Sequence, residues 1–357
     1  MSVVHPEELG ASEVAAWRAM QRSSPELANP FLSPGFALAA GRVRSSARVG
    51  VLEDGRELVG FFPFEKGPLR IGRPIAAGVS DAQAIVHVPG LEWSPLELLD
   101  GCGLDVWEFD HLSVEQHAAA GGRVTRSSAP IIDVSDGYEA YAAERRRNSK
   151  KIFKSTDQKH RKLERDYGAT RFEFDASDRR ALGLLMRWKS DQYRRTGRRD
   201  RFAVRWIERL VWDLFETRSD GCAGALSVLY CGERVVAVHF GLRSDRSLSC
   251  WFPTYDPAFA RYSPGLVLHL LMARAAAEAG LHHLDLGKGD EPYKQSLKSG
   301  EVIVGQGWIQ RPSLAAAAQR VRRAPARFAQ ELVLRHPRLR RAARTTLARV
   351  GSVRSSP

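Results

Sequence analysis

The order of residues from Trp251 to Lys298 permits few folds. It opens Trp-Phe-Pro-Thr-Tyr-Asp-Pro-Ala-Phe-Ala-Arg-Tyr-Ser-Pro-Gly, continues through a long apolar stretch, and closes on His-His-Leu-Asp-Leu-Gly-Lys-Gly-Asp-Glu-Pro-Tyr-Lys. Local rules read it as a strand, a helix, a buried strand and a turn loaded with ionisable groups. The first strand, Ser247 to Tyr255, contains Pro253. Proline cannot donate to a sheet ladder, so pairing is expected to weaken there. A strand that splays from its neighbour leaves backbone groups free in a cleft, where an extended amide-rich ligand could add as a pseudo-strand. A simple edge strand is the plainer alternative.

The helix start that follows is assembled from small rules. Ser263 is expected to cap the free N–H groups of the first turn. Pro264 suits the first helical position, where its missing N–H matters least. Gly265 has no Cβ and lets a ligand approach the backbone. Leu266, Leu270, Met272 and Ala273, with Val267 and Leu271 beside them, give a helix buried on one side. Such an N-terminus points N–H dipoles at an anion, and Arg261 adds a positive charge just before it. An ordinary capped core helix fits the same residues.

At 357 residues the chain is comfortable for two domains. Met1 to Gly10 carry no basic leader followed by an apolar run, so no secretory signal is expected. No apolar stretch is long enough for a membrane span. Cys102, Cys222, Cys231 and Cys250 form no C-x-x-C pair and suit buried thiols in a reducing cytoplasm. His282 and His283, being adjacent, face opposite sides of a strand and make a poor metal pair. The net charge of +13 is concentrated in two places. Residues 145–165 carry +8, residues 313–357 carry +10, and the rest of the chain is −5. The first run would suit an anionic substrate, RNA or membrane phosphate, or be a solvated helix face.

Ala47 to Leu52 and Glu57 to Phe64 read as a hairpin across Glu53-Asp54-Gly55-Arg56. Asp105 to Leu112 alternates like a half-buried strand, and Ala129 to Val134 is another strand. Asp136 can cap a helix that starts near Tyr138 and extends through the basic run to Arg165. Beyond it the elements read β-α-α-β-β-β-α-β-α-β, ending on a strand from Val302 to Gln310. After Arg311 the chain turns Ala- and Arg-rich. Weak amphipathic helices there could lie on an anionic membrane or bind a partner, and a disordered tail is the alternative.

This order of elements, with the interrupted strand and the Arg-Tyr-Ser-Pro-Gly turn, resembles the GNAT acyltransferase superfamily. Tyr255 to Gly265 and Asp285 to Lys294 resemble more narrowly the CelD-like acetyltransferases associated with polysaccharide biosynthesis. The basic helix and Asn29-Pro30-Phe31 are similar to that family as well. That family is similar in turn to the Fem-type aminoacyl transferases, which carry two such domains. The resemblance implies an α/β fold with a mixed sheet and a tandem of GNAT-like domains. Residues 1–144 would be a diverged copy, 145–312 the transferring domain and 313–357 a basic tail. It implies acetyl-CoA or another acyl-CoA as co-substrate. Phe252, Thr254 and Tyr255 would lie along the cofactor, with Arg261, Tyr262, Ser263 and Gly265 at its pyrophosphate. Only one glycine stands in that turn, a departure from the superfamily's glycine-richer loop.

Acyl transfer needs a proton acceptor for the nucleophile, donors for the thioester oxygen and a proton for the thiolate. His239, in mid-strand, suits a general base or a structural role. Asp290 and Glu291 could orient or deprotonate an acceptor, and Asp290 could instead cap a short helix. By the resemblance, Tyr293 would protonate the leaving sulfur and Lys294 would stabilise an oxyanion or bind an anion. The expected partner is a small-molecule or glycan acceptor. Aminoacyl-tRNA is the alternative donor, and an accessory role in a polysaccharide machine a third possibility. The expected location is cytoplasmic, at the inner face of the membrane if the tail docks there.

Overall fold

The computed structural model describes residues 1–117, 124–148, 150–219 and 221–313. In chain order its elements are β1 (Ser2–Val4), α1 (Ala11–Ser23), α2 (Pro34–Val43), β2 (Ala47–Asp54), β3 (Glu57–Lys66), β4 (Ile71–Pro74), β5 (Val86–His87), α3 (Pro95–Gly101), β6 (Val106–Ser113) and β7 (Thr125–Asp133). Then come α4 (Tyr138–Asn148), α5 (Lys150–Tyr167), β8 (Thr170–Glu173), α6 (Arg179–Arg195), α7 (Arg205–Glu216), β9 (Arg218–Ser219), β10 (Cys222–Cys231), β11 (Arg234–Arg243) and β12 (Ser247–Tyr255). The last are α8 (Pro264–Glu278), β13 (His283–Asp285), α9 (Pro292–Leu297) and β14 (Gly300–Gln310). The order expected after the basic run is present, with the two-residue β9 added. The expected amphipathic helices of the tail lie outside the described residues.

The described strands form one mixed sheet in the order β1-β2-β3-β4-β6-β14-β7-β13-β12-β11-β10-β8, with β5 on β3 and β9 on β10. Two of its pairs, β4 with β6 and β12 with β13, are parallel. Strand β7, which precedes residue 144, lies between β13 and β14, and β14 returns to pair with β6. The sheet therefore runs unbroken across residue 144.

The two largest buried clusters among the described residues pack against the sheet, and a third gathers Phe62, Phe64, Trp107 and Phe109 in the N-terminal half. In the first, Trp17, Phe31 and Phe36 from the first third of the chain pack with Leu210 and Leu214 of α7 and with Phe240 and Trp251. In the second, Tyr141, Phe153, Val267 and Met272 pack over Leu229 and Leu284. Strand β10 is buried along its whole length, which is why its sequence is nearly continuous in apolar residues.

The basic run is carried by two helices, α4 and α5, and the rings of Tyr141 and Phe153 meet at 6.0 Å, far closer than one straight helix from Tyr138 to Arg165 would allow. It is not a uniformly solvated face. Phe153 and Leu163 are buried in it, Tyr141 Oη donates to Leu297 O at 2.8 Å, and Arg145 is buried with Nη2 donating to Ser296 O.

Candidate active site

Strand β12 holds β13 for only three pairs, Ser247 with His283, Leu248 with Leu284 and Ser249 with Asp285. Beyond Ser249 the two strands part. The cause is local. Phe252 pairs with Phe240 and Cys250 with Gly241, so Trp251 is an extra residue, a bulge that bends the strand. Trp251 is held in that position by Nε1 donating to Val79 O at 2.8 Å and by edge contact with Phe31. Gly241 accommodates the bulge, since a Cβ there would sit 2.3 Å from Ser249 O. Pro253 still stands opposite His239 in the β11 register, so the break opens toward β13 alone. At the last shared step Asn29 reaches in from the N-terminal half. Its Oδ1 accepts from Ser249 Oγ (3.3 Å) and its Nδ2 donates to Asp285 Oδ2 (3.4 Å), so one side chain spans both strands where they diverge.

The wedge is lined by groups brought from four elements. His239 of β11 is fully buried, and neither ring nitrogen has a hydrogen-bond partner among the described residues. Burial, with His269 and Lys189 nearby, holds its pKa well below the usual range, so it is a neutral imidazole with an unused acceptor. His269 of α8 lies 6.1 Å from it, ring to ring, and 5.5 Å from the ring of Tyr293. The His269 Nδ1 bonds to Gly265 O at 2.6 Å, while Nε2 is buried without a partner. Burial, then Glu291 and Cys250, push the Tyr293 phenol up, so it stays protonated and able to donate.

Lys294 is 6% exposed, and its ammonium donates to Gly287 O (3.1 Å) and Lys288 O (3.0 Å) with Glu291 Oε2 at 3.2 Å. Two carbonyl bonds and an ion pair hold it, so in this arrangement it shapes the turn after β13. Glu291 occupies the N-cap position of α9 without a side-chain cap bond, and Asp290 is exposed beside it. The cap considered for Asp290 is therefore not formed.

Lys189 of α6 reaches the same strand. Its Nζ donates to Pro253 O at 3.0 Å and to Gln192 Oε1 at 2.9 Å. Burial, then Arg198 and Arg201, push its pKa down to about 8.

At the other end of β12 the expected serine cap is absent. Ser263 is left-handed (φ 51°, ψ 50°) and makes no side-chain cap bond. Its Oγ instead accepts from Lys159 Nζ at 2.8 Å, which brings a cation of α5 onto the start of α8. Only the backbone still serves the helix, Ser263 O accepting from Leu266 N at 2.9 Å. Tyr262 is fully buried, donates to Asp166 Oδ2 at 2.6 Å and accepts from Arg261. Tyr262 thus fastens α5 to the turn, while Arg261 lies over its ring at the surface. Gly265 lies under the exposed ring of Tyr255, at ordinary contact distance for an added Cβ. Phe252 is turned away into the α6–α7 core, stacked on Trp251 and against Phe202, so only its backbone is available to a ligand. Thr254 is buried.

The sequence nominated His239, Asp290, Glu291, Tyr293 and Lys294 as candidates and did not single out Asn29, Lys159, Lys189 or His269 as neighbours of the wedge. His269 lies among the apolar residues of α8 and Lys189 on α6, where each fits an ordinary helix. No periodicity marks either as special.

Residues 150–295 match the family model described as an acetyltransferase (GNAT) domain. No curated protein matches the sequence. Among solved structures, FemX superposes with a TM-score of 0.56 over 86% of this chain and 96% of its own, at 13% identity. A conserved protein of unknown function from Bacteroides thetaiotaomicron gives 0.51 over 84% and 98%, at 12% identity. At these identities the structures show a shared fold. The mixed α/β architecture is GNAT-like, and the chain carries a GNAT acetyltransferase domain, which makes it an acyltransferase.

Proposed function

We propose that this acyltransferase takes its acyl group from an acyl-CoA, acetyl-CoA in the first instance, and passes it by direct attack to a nitrogen or oxygen of a sugar, glycan precursor or small metabolite. One observation carries the reading: β12 pairs with β13 for three residues and then departs at the Trp251 bulge. A pantetheine arm is an extended diamide, and the exposed edge of a parted strand offers it the hydrogen bonds of a ladder. Its charged end would meet Lys159, Arg261 and the start of α8. Its thioester would lie between His239, His269 and Tyr293. There the protonated phenol can donate to the departing sulfur, and the dry imidazoles hold acceptors close to the reacting carbon.

The finer reading follows the sequence resemblance. The chain would act as a CelD-like enzyme on precursors of a polysaccharide, with residues 1–144 a diverged copy of 145–312. Residues 313–357 would dock it to an anionic surface at the inner face of a membrane. Among the described residues no helix is long and apolar enough to cross one.

Isothermal titration with acetyl-CoA tests the donor. Binding that weakens about tenfold in Arg261→Ala, with the fold intact, is expected for loss of one phosphate contact. No heat at saturating acetyl-CoA would sink the reading. A donor of aminoacyl-tRNA type is favoured by one feature, the basic helix α5 lying against the start of α8. Its mark would be RNA binding that falls steeply with salt.

A further inference from the structure

Outside the wedge, the N-terminal half holds an array of polar groups that the reading above does not use. It is built around Gln83, in the loop between β4 and β5, which is 7% exposed. Gln83 Oε1 accepts from the backbone N–H of Asp110 (2.9 Å) and of His111 (3.1 Å), and Nε2 donates to Asp110 Oδ1 (2.5 Å). Its own backbone bonds to His111 O and to Ser113 N. With both backbone and side chain committed, Gln83 fixes Asp110 and His111 at one end of β6.

Asp110 Oδ1 lies 3.0 Å from His111 Nδ1. Burial raises the Asp110 pKa, but the bonds from His111 and Gln83 outweigh it and hold the group below the usual range. Asp110 is therefore an anion, an acceptor placed against Nδ1. A carboxylate on Nδ1 is the arrangement that orients a histidine base, and Nε2 is the ring nitrogen turned away from it. Nε2 faces Asp81 Oδ1 at 3.9 Å, too far for a hydrogen bond. The His111 ring is 11% exposed, enough to be reached from one side.

The array stands against the turn that follows β13. Lys288 Nζ donates to Asp110 O at 3.0 Å. A Cβ built on Gly287 would lie 3.8 Å from Asp81 Oδ2 and 4.0 Å from Lys294 Nζ. The loop carrying Asp81 is also tied to the bulge of β12 by the bond from Trp251 to Val79 O. One end of this loop thus holds the parted strand and the other holds a carboxylate–histidine pair.

We propose that His111, supplied by the N-terminal half, is the general base for the acceptor; this rests on the acyl-CoA reading above. The acceptor's N–H or O–H gives its proton to His111 Nε2 as the nitrogen or oxygen bonds to the thioester carbonyl carbon. The C–S bond breaks with its electron pair on sulfur. Tyr293 gives its phenolic proton to the departing sulfur, and the proton held by the imidazolium restores the phenol through water, leaving acylated acceptor and free CoA. Asp81 faces the same proton and orients the acceptor. The two halves thus divide the work, one holding the donor and the other activating the acceptor.

The test uses the full chain with acetyl-CoA as donor and glucosamine, hydroxylamine or water as probe acceptors, with thiol release followed in wild type, His111→Gln and His111→Ala. Glutamine keeps the shape of the ring without its basic nitrogen. Both variants are expected to lose about 10²–10⁴ in kcat while acetyl-CoA Kd stays within about twofold. Added imidazole should restore part of the His111→Ala rate and none of the His111→Gln rate, which a merely structural histidine would not do. Variants within about threefold of wild type in kcat would overturn the assignment and leave the donor reading standing. So would a loss without imidazole rescue in which acetyl-CoA binding falls equally. Wild type that releases no thiol above buffer with any probe would overturn the donor reading and this inference together.

Discussion

Replacing Lys189 with methionine should make the protein more stable and less active. Lys189 sits under the parted strand with its pKa pushed down to about 8, against 10.5 for a free side chain. A lysine whose pKa is lower in the folded chain binds fewer protons there than when unfolded, so stability rises with pH between the two values. At pH 7 both states carry the proton and the whole penalty is present. Two and a half pH units at 1.36 kcal/mol each amount to about 3 kcal/mol. Methionine, of similar length, removes the penalty. It also removes the hydrogen bonds to Pro253 O and Gln192, at about 1 kcal/mol each, and the contact with Tyr193, at about 0.5 kcal/mol. The expected net gain is about 1 kcal/mol at neutral pH. Because wild type sheds its penalty as Lys189 deprotonates, the comparison should shift toward wild type by about 2–3 kcal/mol between pH 7 and pH 10. Denaturant unfolding of both proteins at the two pH values measures this directly. A difference that is destabilising at pH 7 and the same at pH 10 would refute the reasoning. A buried cation kept against stability points to use, and kcat for acyl transfer should fall in the same variant.

Three further outcomes are expected. Tyr293→Phe keeps the packing against His269 but removes the phenolic donor, so kcat should fall by about 10²-fold with acetyl-CoA affinity unchanged, as stopped assays of product would show. Gly241→Ala places a methyl 2.3 Å from Ser249 O and must disturb the bulge; thermal unfolding should report about 2–3 kcal/mol lost, and acetyl-CoA binding should weaken with it. Truncation after Arg311 should leave acyl transfer intact while removing recovery with anionic vesicles, and a truncated protein that still sediments with them would rule out the tail as the anchor.

Much of the fold was legible because its signals are local. The hairpin over Glu53 to Arg56 is announced by its turn residues, and Gly55 takes the positive φ that such a turn needs. The elements from β8 to β14 follow from alternation, helical spacing and the stops between them. Pro253 flagged the strand that parts, although the residue that bends it is the bulged Trp251, which carries no such mark. The serine before Pro264 illustrates how a local rule is overridden. Ser263 is a good capping residue, but the chain arrives there left-handed, and Lys159, 104 positions earlier, takes its hydroxyl.

Alone, then, the sequence settled the kinds of element, their order and the weak point in β12, since each depends on the preferences of a few adjacent residues. Tertiary structure decided which strands meet. It put β7 between β13 and β14, laid Asn29 across two strands of which one lies 256 residues away, and set Asp110 and His111 beside the turn after β13. Contacts of this kind are selected by burial and hydrogen bonding summed over the whole sheet, and no short window of sequence contains that sum.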